Sequence, residues 1–345
     1  SEKPKVKLII IACNTATAYA LADIQQSVDI KKAKIPVIGV IDAGAKAALI
    51  YQRNHPGTIG VFATVGTVAS DGYPRTIRKM AKQMQIKTPA IVSQGGYGIA
   101  ESIDRDFNYF SDTATHLREN YLGPSLHHAK YPIDTLLMDA YQFDSSSNFL
   151  VCERLSDGTC KEIQINAPAN YVRYHLVHLL ENMRNQPRVA PLNTLILGCT
   201  HYPYLKDTIQ QVLKQLYNFK KAGVFIYRPL LAPSVKLIDP GVETAKTAYM
   251  VLRQQRLAKQ QHSTNNNHQF FISIPHDQLP NSALGEDGWF TYAYKYGRTA
   301  GAHQTYVRYV PFDRKNIADA TYKRFKQALP QVYQLLKSAS VVLPD

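Results

Sequence analysis

No apolar run in this chain approaches the roughly 18 residues needed to cross a bilayer. The longest, residues 8–13, has the length of a buried strand, so no membrane partner is expected. The charged n-region and apolar h-region of a secretory signal are also absent, although Ser1 in place of Met points to a processed or cut start. Cysteine is scarce: four in 345 residues make no disulfide framework. Cys152 and Cys160 flank a Ser-Asp-Gly turn, but pairing across that turn sets Leu155 opposite Cys160 and leaves Cys152 out of register. Unpaired cysteines predict a reducing compartment and a cytoplasmic protein. No His or Cys spacing fits a zinc site, so no metal is expected, and His55, His127 and His128 read as surface histidines.

Hydrophobic residues make up 45% of the chain and charged residues 19%, enough to bury a sizeable core and too apolar for disorder. The formal net charge of +14 attracts anions. Its Lys and Arg residues are scattered, however, and the densest cluster is only Lys31-Lys32-Ala33-Lys34. That pattern favours a solvated face over a nucleic-acid partner.

The length suggests about two domains. Early in the chain, apolar strands at residues 7–12, 35–41, 58–63 and 89–93 alternate with helical segments at 16–27, 43–52 and 70–85. This rhythm predicts parallel, doubly wound α/β sheets. It breaks over residues 105–166, which read as an insertion holding a hairpin, 149–155 against 159–165 around Asp157-Gly158. It resumes with a helix at 171–185, a strand at 194–198 and a helix at 205–217. A polar stretch, 254–269, reads as a linker containing Asn265-Asn266-Asn267. Beyond it Tyr292, Tyr294 and Tyr296 alternate as in a strand, followed by a helix over 318–337. With Lys295, Arg298, Tyr306, Arg308 and Tyr309 these tyrosines make a basic aromatic ribbon, read as half-buried rather than as a stacking platform. Gln94-Gly95-Gly96-Tyr97-Gly98 reads as a turn, not a phosphate cradle.

One internal echo stands out. Leu8-Ile9-Ile10-Ile11-Ala12-Cys13-Asn14-Thr15 and Leu195-Ile196-Leu197-Gly198-Cys199-Thr200-His201 share a layout: a buried strand ends in cysteine, then polar residues, with a helix downstream. Open α/β sheets bind ligands beyond the carboxyl ends of their strands. Inverting an α-carbon needs one group to remove a proton from one face and another to return one to the opposite face. A thiol can do both, since its reference pKa of about 8.5 lies near working pH and a helix N-terminus lowers it. Asn14, Thr15, Thr200 and His201 would offer donors to a carboxylate there, and His201 could assist thiolate formation at Cys199. A lone cysteine at a strand end is more often inert packing. The matched pair leaves catalysis and packing evenly balanced on chemistry alone.

Ala12-Cys13-Asn14-Thr15-Ala16 and Leu197-Gly198-Cys199-Thr200-His201-Tyr202-Pro203 resemble the two active-site signatures of glutamate racemases in the aspartate/glutamate racemase family. His201 favours the glutamate branch, since aspartate racemases carry Glu there. Val37-Ile38-Gly39-Val40-Ile41-Asp42-Ala43-Gly44-Ala45, Ala63-Thr64-Val65-Gly66-Thr67-Val68-Ala69-Ser70 with Tyr73, and Ile238-Asp239-Pro240-Gly241 resemble further family segments. The resemblance implies two doubly wound α/β domains with pseudo-twofold symmetry, an interdomain active-site cleft, and no cofactor. It divides the chain into a first domain of 1–48 with about 234–260 and a second of 49–233 carrying the insertion. A C-terminal extension, 268–345, has no assigned role. It further implies Cys13 and Cys199 as the catalytic pair with His201, substrate contacts from Asn14, Thr15, Thr67, Thr200 and His201, and glutamate as substrate. The product would be D-glutamate for peptidoglycan, and a homodimer is allowed for.

The chain departs from the family in several places. The Asp-Ser-Gly and Pro-Tyr-Gly motifs expected ahead of the first cysteine need two strand–helix units, each of roughly 30 residues, and twelve residues precede Cys13. Phe143-Asp144-Ser145-Ser146 does not replace them. The chain is therefore read as N-terminally truncated with an incomplete first domain. Ser93-Gln94-Gly95-Gly96-Tyr97 stands where relatives have a Cys-Pro turn, while Glu101 fits their pattern. Two other readings stay open: a cysteine-pair racemase or isomerase of different specificity, and a non-catalytic binding relative.

Overall fold

A computed structural model describes residues 6–30, 35–186, 189–257, 268–286, 288–297 and 305–339. The Lys31–Lys34 cluster, most of the expected linker (258–267) and Arg298 lie outside them. The chain divides into two compact units, residues 1–258 and 259–345.

In the first unit, β1 (Ile9–Ile11) leads into α1 (Asn14–Ile30), and β2 (Val37–Gly39) returns beside β1 in parallel, Ile9 opposite Val37. Helix α2 (Val40–Gln52) follows without a gap. Next come β3 (Thr58–Ala63), the short α3 (Val65–Ala69), α4 (Gly72–Gln83), β4 (Ile91–Gly95) and α5 (Ile99–Ile103). The stretch that follows is largely irregular, with α6 (Met138–Tyr141) and a hairpin of β5 (Leu150–Arg154) and β6 (Cys160–Ile165). Then α7 (Pro168–Arg184), β7 (Leu192–Gly198) and α8 (Lys206–Asn218) precede a small ribbon, β8 (Lys220–Lys221) with β9 (Val224–Phe225). Finally β10 (Leu231–Ile238) runs into α9 (Pro240–Gln254).

The main sheet has the order β10-β7-β3-β4 and is parallel throughout. Its two central strands, β3 and β7, are buried along their whole length because both faces are covered. Ile59, Val61 and Ala63 of β3 face Ala48 and Leu49 of α2 and Ile77 of α4. Phe62 points the other way, among Val172, Leu176 and Leu180 of α7. Every residue of β7 is buried. Truncating one such leucine to alanine costs about 2–5 kcal/mol. This is the expected parallel α/β architecture.

In the second unit β11 (Phe271–Pro275) pairs antiparallel with β12 (Val307–Pro311), with α10 (Tyr292–Gly297) between them in sequence. Helices α11 (Asp319–Ala328) and α12 (Pro330–Ala339) follow, and Phe312 meets Tyr322 and Phe325 edge-on.

Several expectations are corrected. Cys152 and Cys160 form a disulfide, with 5.6 Å between Cα atoms. The ladder slips by one residue at Lys161, setting Cys160 opposite Arg154 rather than Leu155. Arg154 shares a strand face with Cys152, so this bulge turns Cys160 onto the same face. The compartment reading therefore loses its support from unpaired cysteines. The tyrosines 292, 294 and 296 lie on helix α10, not a strand, and Tyr294 N–H donates to the Thr291 hydroxyl at 3.2 Å. That local cap outweighs a two-residue alternation over so short a segment. The final helix is two helices, because Pro330 cannot donate to the preceding turn. The second strand stops at Gly39, so Asp42 lies in the first turn of α2. Strand β10 spans the boundary expected at 233/234 and belongs to the sheet of β3, β4 and β7.

Candidate active site

The carboxyl ends of the strands gather the polar residues of the two cysteine motifs. Cys13 sits between β1 and α1, exposed, and its Sγ accepts the Ala16 N–H at 3.5 Å. The Thr17 hydroxyl contacts the carbonyls of Cys13 at 2.8 Å and Ile11 at 3.1 Å, tying the first turn of α1 to the strand. The sulfur thus meets one of the free amides at the N-terminus of α1.

Thr15 reaches across to the loop after β3. Its hydroxyl lies 3.2 Å from that of Thr64 and 3.0 Å from that of Thr67, and the last two are 2.9 Å apart. Thr64 caps α3, accepting the Thr67 N–H at 3.2 Å. Asn14 is buried, and its Oδ1 accepts the Tyr73 hydroxyl at 2.6 Å.

Cys199 directly follows β7 and is buried. In the ladder Gly198 lies opposite Ala63, so Cys199 and Thr64 leave neighbouring strands at the same level. A Cβ added to Gly198 would stand 2.7 Å from Ala63 Cβ and 3.1 Å from Tyr73 Cε2. Tyr73 therefore touches both cysteine segments. Tyr202 adds a second brace: its buried hydroxyl contacts the carbonyls of Ala63 at 3.2 Å and Gly96 at 3.1 Å.

Beside Cys199 a carboxylate and an imidazole line up. The Cys199 Sγ lies 3.6 Å from His201 Nδ1, and His201 Nε2 lies 2.9 Å from Asp104 Oδ2. Hydrogen bonding to Asp104, and next to Cys199, pushes the imidazole up to about 10 against the opposing effect of burial. Glu101, one helical turn before Asp104, has its carboxyl raised chiefly by burial. Tyr73 is held well above its usual range, mainly by burial and then by nearby Asp239, Asp42 and Cys199.

Of the residues expected from sequence, Thr15 and Thr67 share a hydroxyl cluster with Thr64, Asn14 bonds Tyr73 separately, and Cys199 and His201 line up with Asp104. Thr200 is exposed. Asp104 was missed, although its i,i+3 spacing from Glu101 puts both carboxylates on one side of α5. Among the described residues no group of three or more His, Cys, Asp or Glu could hold a metal ion.

Residues 1–120 match the Asp/Glu/Hydantoin racemase family. The chain's curated relatives include the glutamate racemase of Levilactobacillus brevis, 28% identical over 278 residues, covering 81% of this chain and 67% of that protein. The glutamate racemase of Limosilactobacillus fermentum is 28% identical over 287 residues, covering 83% and 70%. Among solved structures, the glutamate racemase of Bacillus anthracis matches with a TM-score of 0.41 and 23% identity over 73% of this chain. That of Francisella tularensis, solved in complex with D-glutamate, matches with 0.41 and 23% over 74%. The chain spans 59% and 61% of those two solved chains.

Proposed function

We propose that this chain interconverts L- and D-glutamate without a cofactor, with Cys13 and Cys199 as the two proton-transferring groups. The observation that carries the reading is that one buried residue, Tyr73, braces both cysteine segments, through Asn14 on one side and Gly198 on the other. In this reading α1, β1, β2 and α9 make the first domain and the four-stranded sheet the core of the second, with substrate between them.

One thiolate takes the α-proton from one face, and the thiol opposite returns a proton to the other. Asn14, Thr15, Thr67 and Thr200 would receive the substrate carboxylates, whose charge suits hydroxyl donors and helix N-terminal amides. His201 would stabilise the Cys199 thiolate as it forms. The net positive charge of the chain favours a substrate with two carboxylates and a net negative charge. The product would serve peptidoglycan synthesis.

The test is incubation of the purified chain with L-glutamate in heavy water, followed by analysis of both enantiomers for α-deuterium. Deuterated D-glutamate is expected. Absence of exchange in a folded sample overturns the activity and favours a non-catalytic relative. Exchange of another amino acid in preference to glutamate moves the assignment to a cysteine-pair racemase of different specificity.

A further inference from the structure

Asp104 stands at the C-terminal end of α5, where Asp104 N–H bonds Ala100 O at 3.0 Å and Arg105 then turns into the left-handed region at φ 60°. The helix is held from below. Gly98, at φ 81°, packs where an added Cβ would meet the rings of Tyr171 and Tyr109. The carbonyl of Tyr97 lies 2.9 Å from Nε2 of His175, a fully buried imidazole that burial pushes down to about 3 and so keeps neutral. A neutral ring has one N–H; with Nε2 donating to Tyr97, Nδ1 is free to accept from Gln94 Nε2 at 3.4 Å. The carboxylate of Asp104 is therefore delivered by an anchored element.

We propose that Asp104 is the positioning residue for the Cys199 side of the site: accepting from His201 Nε2, it turns Nδ1 toward the sulfur and holds an imidazolium there. The two cysteines then differ in kind. Cys199 works against a fixed side-chain cation, whereas Cys13 works against the backbone amides at the start of α1. This rests on the racemase reading for its consequence in turnover, but not for its geometry. The ionisable groups around His201 are Cys199 from β7, Asp104 and Glu101 from α5, and Asp106 just beyond that helix, which reaches Glu101. Glu101 is the carboxylate expected from the sequence pattern, yet the hydrogen bond to Nε2 comes from Asp104.

The experiment follows the His201 ring nitrogens by NMR over pH in the wild-type chain, Asp104→Asn and Glu101→Gln, with no substrate present. In the wild type the ring stays protonated well above the ordinary histidine value of about 6.5. In Asp104→Asn its midpoint falls toward that value, and Asp104→Glu restores part of the shift. Glu101→Gln moves it far less. An unchanged titration in folded Asp104→Asn, or a larger drop in Glu101→Gln, overturns the proposal. Where the wild type racemises, Asp104→Asn lowers kcat by about tenfold or more with KM little altered. A change confined to KM assigns Asp104 to substrate binding and also overturns it. Absence of turnover in the wild type defeats the racemase reading while leaving the ring titration decisive.

Discussion

The Tyr73 hydroxyl donates to Asn14 Oδ1 at 2.6 Å, and both residues are buried. The bond joins the start of α4 to the residue after Cys13, across 59 positions of sequence. Tyr73→Phe keeps the ring against Gly198 and deletes this one bond. It leaves a buried acceptor without its partner, which costs about 1–3 kcal/mol. A lower urea midpoint at unchanged slope, with reduced α-proton exchange, is expected. Equal stability would show that Asn14 finds another donor at no cost.

Gly198 meets Ala63 and Tyr73 too closely for a side chain. In Gly198→Ala the new methyl must displace Ala63 Cβ, which stands on a packed strand, or the Tyr73 ring, which is pinned by its hydroxyl. Overpacking of this kind costs about 1–3 kcal/mol. The effect should exceed that of Gly158→Ala. Gly158 has open space around its Cβ, although its φ of 84° also strains an L residue. Comparison of the two melting curves checks this.

Much of the first unit was legible because parallel strands buried on both faces leave unbroken apolar runs, as in β3 and β7. The cysteine motifs were legible because each lies within a few residues of chain. What escaped the sequence was of two physical kinds. Short segments do not separate a period of 2 from one of 3.6, so Tyr292, Tyr294 and Tyr296 passed for a strand. Single-residue shifts and long-range contacts leave no local trace. One extra residue at Lys161 turns Cys160 onto the face of Cys152, and Asp104 meets His201 across 97 positions.

The disulfide closes a loop of only eight positions. Loop-closure entropy for so short a loop is worth about 2–3 kcal/mol. Cys152→Ala with Cys160→Ala should lower the unfolding midpoint of the hairpin. The ladder pairs from Leu150–Ile165 to Glu153–Glu162 do not depend on it. Reductant should therefore soften the hairpin without abolishing exchange at Cys13 and Cys199. Hydrogen exchange of the Val151 and Ile163 amides reports the first effect, and loss of exchange activity under reductant would contradict the second.

Asp104 raises the imidazole of His201, so the native state binds that proton more tightly than the unfolded chain. The resulting stabilisation is complete below the unfolded value of about 6.5. It falls away as pH climbs toward the folded value of about 10. Denaturant midpoints of wild type and Asp104→Asn should therefore differ most near pH 6 and converge by about pH 10. Solvent reaches both side chains, at 30% and 51% exposure, so the difference should also shrink with added salt. A gap that widens with pH would mean that the ring is neutral in the folded protein.

Under the proposed two-thiol mechanism, replacing either thiol separates the two half-reactions. With Cys13→Ser, Cys199 can still take a proton from one face of the α-carbon and return a solvent deuteron to that same face. The product is the starting enantiomer, now deuterated. With Cys199→Ser the same holds from the opposite face at Cys13. Each variant should therefore lose interconversion, yet each should wash deuterium into a different enantiomer. Asn14, Thr15 and Thr67 remain in place in both, so substrate binding should change little. Full racemisation by either variant would defeat the two-thiol mechanism. Wash-in to the same enantiomer by both would mean that the cysteines address one face, and the returning proton would have to come from elsewhere.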